Sequence, residues 1–157
     1  MSIFSSKSDA SSHPALSYTD GLAAMWQDFL ILVGRVIVGW IFVLYGWGKL
    51  FTIPKYAMTF PARGLAEWMA YIAVPVEFFG GLALLLGFAT RYAVLLKLAF
   101  MVVATFSSHR WWNYPEAQQG NQQAHFWKNV AMMGGMLALF VTGGGRFSVD
   151  ALLRGRK

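Results

Sequence analysis

Cysteine is missing from this chain of 157 residues. Its absence excludes structural disulfides, thiol–disulfide exchange, cysteine nucleophiles and iron–sulfur clusters on their usual ligands. Charge is scarce too. Asp, Glu, Lys and Arg make up 13% of the residues, against about 25% in soluble domains. Acidic residues are outnumbered by basic ones, 7 against 13, for a formal charge of +6. No dinucleotide fingerprint, P-loop, nucleophile elbow or zinc-hydrolase pattern occurs. The triple glycine at 143–145 follows no strand and opens no phosphate loop, so it reads as a helix terminator. No inverted repeat of broken helices points to a secondary transporter. No basic run interleaves with aromatics as single-strand binders require, so no nucleic-acid partner is expected. The positive charge is assigned to membrane topology and anionic lipid.

What is abundant is apolar, at 57% of the residues. Phe29–Phe51, FLILVGRVIVGWIFVLYGWGKLF, is apolar on every side apart from Arg35 and the terminal Lys49. About 20 such residues cross a bilayer core of roughly 30 Å, so this is read as a transmembrane helix. Three more follow, at about Trp68–Phe88 (with Pro75 inside), Tyr92–Ser108 and His125–Thr142. The fold class is therefore all-α, an integral membrane four-helix bundle. Residues 1–28 are expected to be a disordered tail, with a short interfacial helix at 18–27, and residues 29–153 the membrane domain. Residues 154–157 form a basic tail. The N-terminus lacks the basic-then-apolar pattern of a signal peptide.

Each helix carries a face at three- and four-residue spacing. On the first it is Arg35, Gly39, Phe42, Gly46 and Lys49; on the second, Ala70, Ala73, Glu77, Gly80, Leu84 and Gly87. On the third it is Val94, Lys97, Met101, Ala104 and Ser108, with Thr105 and His109 beside it. On the fourth it is Ala124, Lys128, Ala131, Gly135, Ala138 and Thr142. Small residues on these faces let backbones approach closely. Trp40 and Trp47 are assigned to lipid or the interface belt. The connection Thr52–Glu67, broken by Pro54 and Pro61, reads as a headgroup-level loop with one short helix. Ser107–Ala124 reads as a polar loop able to cap the bundle mouth or dock a partner.

Ionisable residues at membrane depth are costly, so they are the first functional candidates. At 1.5 Å per residue Arg35 and Lys97 lie about 9 Å, and Glu77 about 16 Å, from the inner ends of their helices. An Arg35–Glu77 contact is the leading expectation, serving either as an architectural pair or as part of a ligand site with Lys97 and Tyr45 as further donors; the alternative is that both cations snorkel and no pair forms. His109 and His125 fall at similar depth. They offer two imidazoles to a metal or haem, and Met101, Met132, Met133 and Met136 offer soft ligands to copper. Packing and interfacial roles are favoured over haem or copper for both groups.

Three motifs in order resemble the DoxX family. They are YGWGKLF closing the first helix, Glu77 followed by FFGGLALLLGFATR, and GGGRFSVDALL near the C-terminus. Tyr45 stands where histidine is frequent in the family. The positions that carry over are Arg35, Gly46, Lys49, Glu77, Gly81, Arg91, Arg146 and Asp150. The resemblance implies a multi-pass protein of the bacterial inner membrane, and the positive-inside rule places both termini in the cytoplasm. Some relatives are linked to thiosulfate:quinone oxidoreductases and others to complexes managing oxidative stress. The first functional expectation is therefore a membrane subunit or accessory of a redox system, with quinone as the candidate cofactor and a soluble or membrane redox protein as partner. The competing ones are a non-enzymatic scaffold and a solute conduit built as a homo-oligomer.

Overall fold

A computed structural model describes residues 14–155. Among them there are only helices and turns. In order these are α1 (Pro14–Leu50), α2 (Ile53–Ala57), α3 (Ala70–Leu86), α4 (Thr90–Ser108), α5 (Glu116–Thr142) and α6 (Val149–Leu153). Three segments are long and apolar enough to cross a membrane: Ser17–Leu50, Glu67–Leu86 and Thr90–Asn113. α3 packs along α1, α4 along α3 and α5 along α4, and α5 returns to touch α1. The core between them is Phe42, Leu84, Ala93, Val94, Met101, Met136 and Leu139. Met132 and Met133 pack against it, so the methionines fill the core as irregular-shaped apolar groups.

The expected face of α1 is its buried face. Arg35, Gly39, Phe42 and Gly46 are buried and Lys49 half-buried, while Trp40 and Trp47 are exposed. A Cβ on Gly81 would lie 2.6 Å from Phe42 Cβ, and one on Gly39 would lie 2.7 Å from the Leu85 nitrogen. At this crossing α1 and α3 touch backbone to backbone, which only glycine permits. In lipid such contact is a principal source of helix adhesion. The turn after α3 needs glycine for a second reason. Gly87 has φ +68°, and the Phe88 N–H closes back on the Ala83 carbonyl at 2.9 Å, as in a glycine-ended helix.

Three expectations are corrected. α1 begins at Pro14 rather than Phe29, so 18–27 is its first part and not a separate interfacial helix. Leu22, Ala23, Ala24 and Met25 are good helix formers, and a single Gly21 is too weak a break to stop a helix already under way. The tail expected before it falls, for residues 1–13, outside the described residues. The 107–124 segment is mostly not a loop. It makes one 3₁₀ turn at Trp111–Asn113, and then α5 starts at Glu116. The acid in the first turn and the Ala/Gln-rich run outweigh Gly120 and Asn121. Finally, the small-residue face of α5 points outward. Lys128, Ala131, Gly135, Ala138 and Thr142 are exposed, and Phe126, Met136 and Leu139 are buried instead. On this helix the larger apolar side chains fill the core.

Candidate functional site

α3 and α4 do not close completely near the end that carries α2. Ala73, Ala99 and Ala104 are too small to fill the space, leaving a cavity of about 310 Å³. Phe60, Trp68 and Phe100 wall it, and Glu77 lines it as the one carboxylate. At its rim Arg63 Nη1 donates to Tyr56 Oη at 3.1 Å. Lys49 Nζ reaches both Glu77 oxygens at 2.7 Å and lies 4.9 Å from the centre of the Tyr56 ring. The Glu77 side chain is 9% exposed and that of Lys49 27%. The site is thus an apolar slot lined by one carboxylate and one guanidinium, with Lys49 outside the lining and paired to the carboxylate.

Lys97 stands behind this slot and is fully buried. Its ammonium sits 3.5 Å from the Phe42 ring centre and 4.1 Å from that of Phe100. A long hydrogen bond of 3.4 Å to the Glu77 carbonyl completes its surroundings. Desolvated cation–π contacts contribute about 2 kcal/mol or more each. Gly80 makes the arrangement possible, because a Cβ there would meet Lys97 Cδ at 2.7 Å.

Arg35 does not meet Glu77. Leu85 opposite Gly39 puts Gly87 level with Arg35, so Glu77 is ten residues, about 15 Å, further along the bundle. Arg35 turns instead to the end that carries both described termini, where Nη2 donates to the Phe147 carbonyl at 2.6 Å. Tyr45, on the outer side of α1, is 63% exposed and does not line the slot. The counting from helix ends failed because it set Phe29 level with Phe88.

The motif residues near the C-terminus build a latch. Both Asp150 oxygens accept backbone N–H groups, from Ala89 at 2.7 Å and from Thr90 at 2.8 Å. Asp150 therefore caps α4 from another part of the chain, and it holds Ala89 in a left-handed conformation (φ +45°) that a non-glycine residue rarely adopts. Arg91 donates to the carbonyls of Phe140 and Val141 at the end of α5, at 3.0 and 3.1 Å. The Arg146 N–H donates to Asp28 Oδ1 at 2.8 Å, tying the segment to α1. Burial pushes the Asp150 carboxyl up, but the Thr90 and Ala89 donors and the nearby Arg154 outweigh it and hold the group below its ordinary value. The stability that Asp150 contributes is then complete above about pH 4, the ordinary range. It is lost as pH falls through the lower native value. Asp150→Ala should cost about 1–2 kcal/mol at pH 7. It should also flatten the acid limb of a stability–pH curve, read by thermal unfolding in detergent between pH 2 and 7.

His109 and His125 do come together. Their rings stack at 5.2 Å and 28°. His109 Nδ1 pairs with Gln122 Oε1 at 2.8 Å, and His125 Nδ1 with Lys128 Nζ at 3.1 Å. Stacked rings do not converge their nitrogens on one point, and no third His, Asp or Glu joins them among the described residues. The slot's other walls, Tyr56, Arg63 and Phe100, were not singled out by spacing. The nearest signal was Phe42, which shares the buried face of Arg35 and Lys49.

Residues 30–110 match the family model described as DoxX. The chain is 35% identical over 127 residues to the "Inner membrane protein YqjF" of Escherichia coli (strain K12), covering 81% of this chain and 94% of that protein. It is 31% identical over 137 residues to the "Inner membrane protein YphA" of the same strain, covering 86% and 96%. A more distant likeness, 20% over 124 residues, is to the "ER-derived vesicles protein ERV29" of Saccharomyces cerevisiae (strain ATCC 204508 / S288c), covering 79% of this chain and 34% of that one. No solved structure matches.

Proposed function

The chain belongs to the DoxX family, and from that membership we propose that it is an inner-membrane redox accessory that holds a quinone-class headgroup in the slot between α3 and α4. One observation carries this reading: an apolar cavity of about 310 Å³ with one carboxylate, Glu77, and one guanidinium, Arg63, in its lining, Glu77 being held by an ion pair to Lys49. The volume is at the small end of ligand sites and suits a single ring with short substituents. Phe60, Trp68 and Phe100 offer ring faces. Arg63 offers a charged donor to a carbonyl oxygen, and Glu77, fixed by Lys49, offers an acceptor to a hydroxyl of the reduced ring. A bound quinone supplies two-electron, two-proton chemistry. With no cysteine in the chain, the electrons pass through a bound cofactor or a partner protein in this reading.

In this reading the apolar second half of α5 is a fourth span, closing the bundle through its contacts with α4 and α1. Both termini face the cytoplasm, with Arg91, Arg146 and Arg154 on their side. Titrating a short-chain ubiquinone analogue into the purified protein tests the site through quenching of the tryptophan fluorescence. Saturable binding is expected, weakened about tenfold by Glu77→Gln, the worth of one hydrogen bond to a charged group. Equal affinity in that variant would remove the site.

A scaffold role is favoured by a different observation. Arg35 donates through Nη2 to the latch and Lys97 is enclosed by two rings, so both cations have contacts within the fold. A protein with no quinone affinity that still co-purifies stoichiometrically with a redox enzyme would fit this role.

A further inference from the structure

The end carrying both described termini holds a second and larger cavity, a groove of about 1440 Å³ that is separate from the slot. It opens between the first half of α1, the start of α4 and the segment that follows α5. Three arginines line it: Arg91, Arg146 and Arg154. All three are exposed. Two acids line it too, Asp28 and Asp150, and backbone N–H groups take both oxygens of Asp150 and one of Asp28. Among the described residues the one ion pair in the protein is Lys49–Glu77, so none of these three guanidinium groups is held by a carboxylate. Arg91 uses Nε and Nη2 on the α5 carbonyls and keeps its remaining donors for the groove. The lining also has an apolar part, Ile31, Leu95 and Phe140.

Three guanidinium groups with no carboxylate in ion-pair contact, and apolar lining along membrane-spanning helices, define an amphiphile with an anionic head. We propose that this groove binds an anionic phospholipid, its phosphodiester between Arg91, Arg146 and Arg154 and an acyl chain along Ile31, Leu95 and Phe140. Arginine suits the task because its planar fork pairs with two phosphate oxygens at once. A free phosphate would satisfy the arginines but leave the apolar lining unused. A zwitterionic lipid would bring its own cation to a groove already rich in positive charge. The occupant would lie between α1 and the segment after α5, where the contact of Asp28 with the Arg146 N–H now bridges them at one edge.

The test uses the full chain in mild detergent, with native mass spectrometry after addition of phosphatidylglycerol or phosphatidylcholine at equal concentration. Retention of about one phosphatidylglycerol per chain is expected, against little phosphatidylcholine. The double variant Arg146→Gln/Arg154→Gln should lower the phosphatidylglycerol affinity roughly 30-fold, counting about one kilocalorie per mole for each basic residue near a membrane surface. Both residues are exposed, so the variant should keep its fold, which far-UV circular dichroism checks. Ile31→Trp, which narrows the apolar part and leaves the charges, should weaken the lipid as well. Equal retention of the two lipids, or unchanged affinity in the double variant, would overturn the proposal. So would complete displacement by millimolar inorganic phosphate, which would leave an anion site with no role for the apolar lining. The slot and its quinone titration are independent of every one of these readings.

Discussion

Lys49→Met should destabilise the protein by about 3 kcal/mol, because it leaves the Glu77 carboxylate buried with no cation against it. The double variant Lys49→Met/Glu77→Met should recover most of that loss, since two apolar side chains of similar reach replace the pair, while Lys97 keeps the Phe42 and Phe100 rings and the backbone carbonyl of residue 77. Lys49 is partly exposed, so a little water remains available to the lone carboxylate, and the estimate is taken at the lower end of the range for broken buried pairs. Denaturation by increasing sodium dodecyl sulfate in mixed micelles measures both variants against the parent. A single variant as stable as the parent would mean that Glu77 is hydrated, and that the slot is wetter than its walls suggest. The double variant also separates the two functional readings. A scaffold keeps its partner when the pair is gone, whereas a quinone site loses its carboxylate.

Gly81→Val should be strongly damaging through volume alone. The first added carbon would lie 2.6 Å from Phe42 Cβ and 3.1 Å from the Gly39 carbonyl oxygen, atoms that belong to or sit next to the backbone and cannot swing aside. Restoring normal contact means pushing α1 and α3 apart along their whole crossing. A cost of about 3 kcal/mol is expected, the upper range for overpacking. Gly134→Val is the matched control, because a Cβ there has nothing within 4 Å. It should change stability by less than about 0.5 kcal/mol, as surface substitutions generally do. The same denaturation assay reads both, and a control as damaging as the test would show that loss of helical glycine, and not the crossing, is responsible.

The sequence was most readable where one helix face had one job. Arg35, Gly39, Phe42 and Gly46 recur at helical spacing because α1 buries a single stripe, and spacing alone identifies such a stripe. It failed on α5, where Ala131, Gly135 and Ala138 form an equally good stripe that faces outward. Periodicity tells which residues share a face, but which face turns inward depends on the neighbours. The ion pair was half legible. Glu77 and Lys49 both stood out as ionisable residues on buried faces, but partner choice depends on the register between α1 and α3. That register is set by the Gly39–Leu85 and Gly46–Phe78 contacts, which no count from helix ends reproduces. The cavity was not legible at all. It arises where Ala73, Ala99 and Ala104 fail to fill a gap between two helices, and a gap has no residue of its own.

The latch has a consequence for how the protein is made. Asp150 caps the first turn of α4, yet it lies sixty residues further along the chain and is synthesised after all four long helices. While the ribosome is still extending α5, the turn at Gly87–Thr90 has two bare N–H groups and Ala89 has nothing to hold its backbone in place. Arg35 is equally without the Phe147 carbonyl. The nascent protein therefore enters the bilayer with its terminal end unfinished, and three separate helices are secured in one late step as residues 145–150 emerge. A ribosome stalled before that point would display an open bundle, with Arg35 and the start of α4 exposed to whatever quality-control machinery surveys the membrane surface.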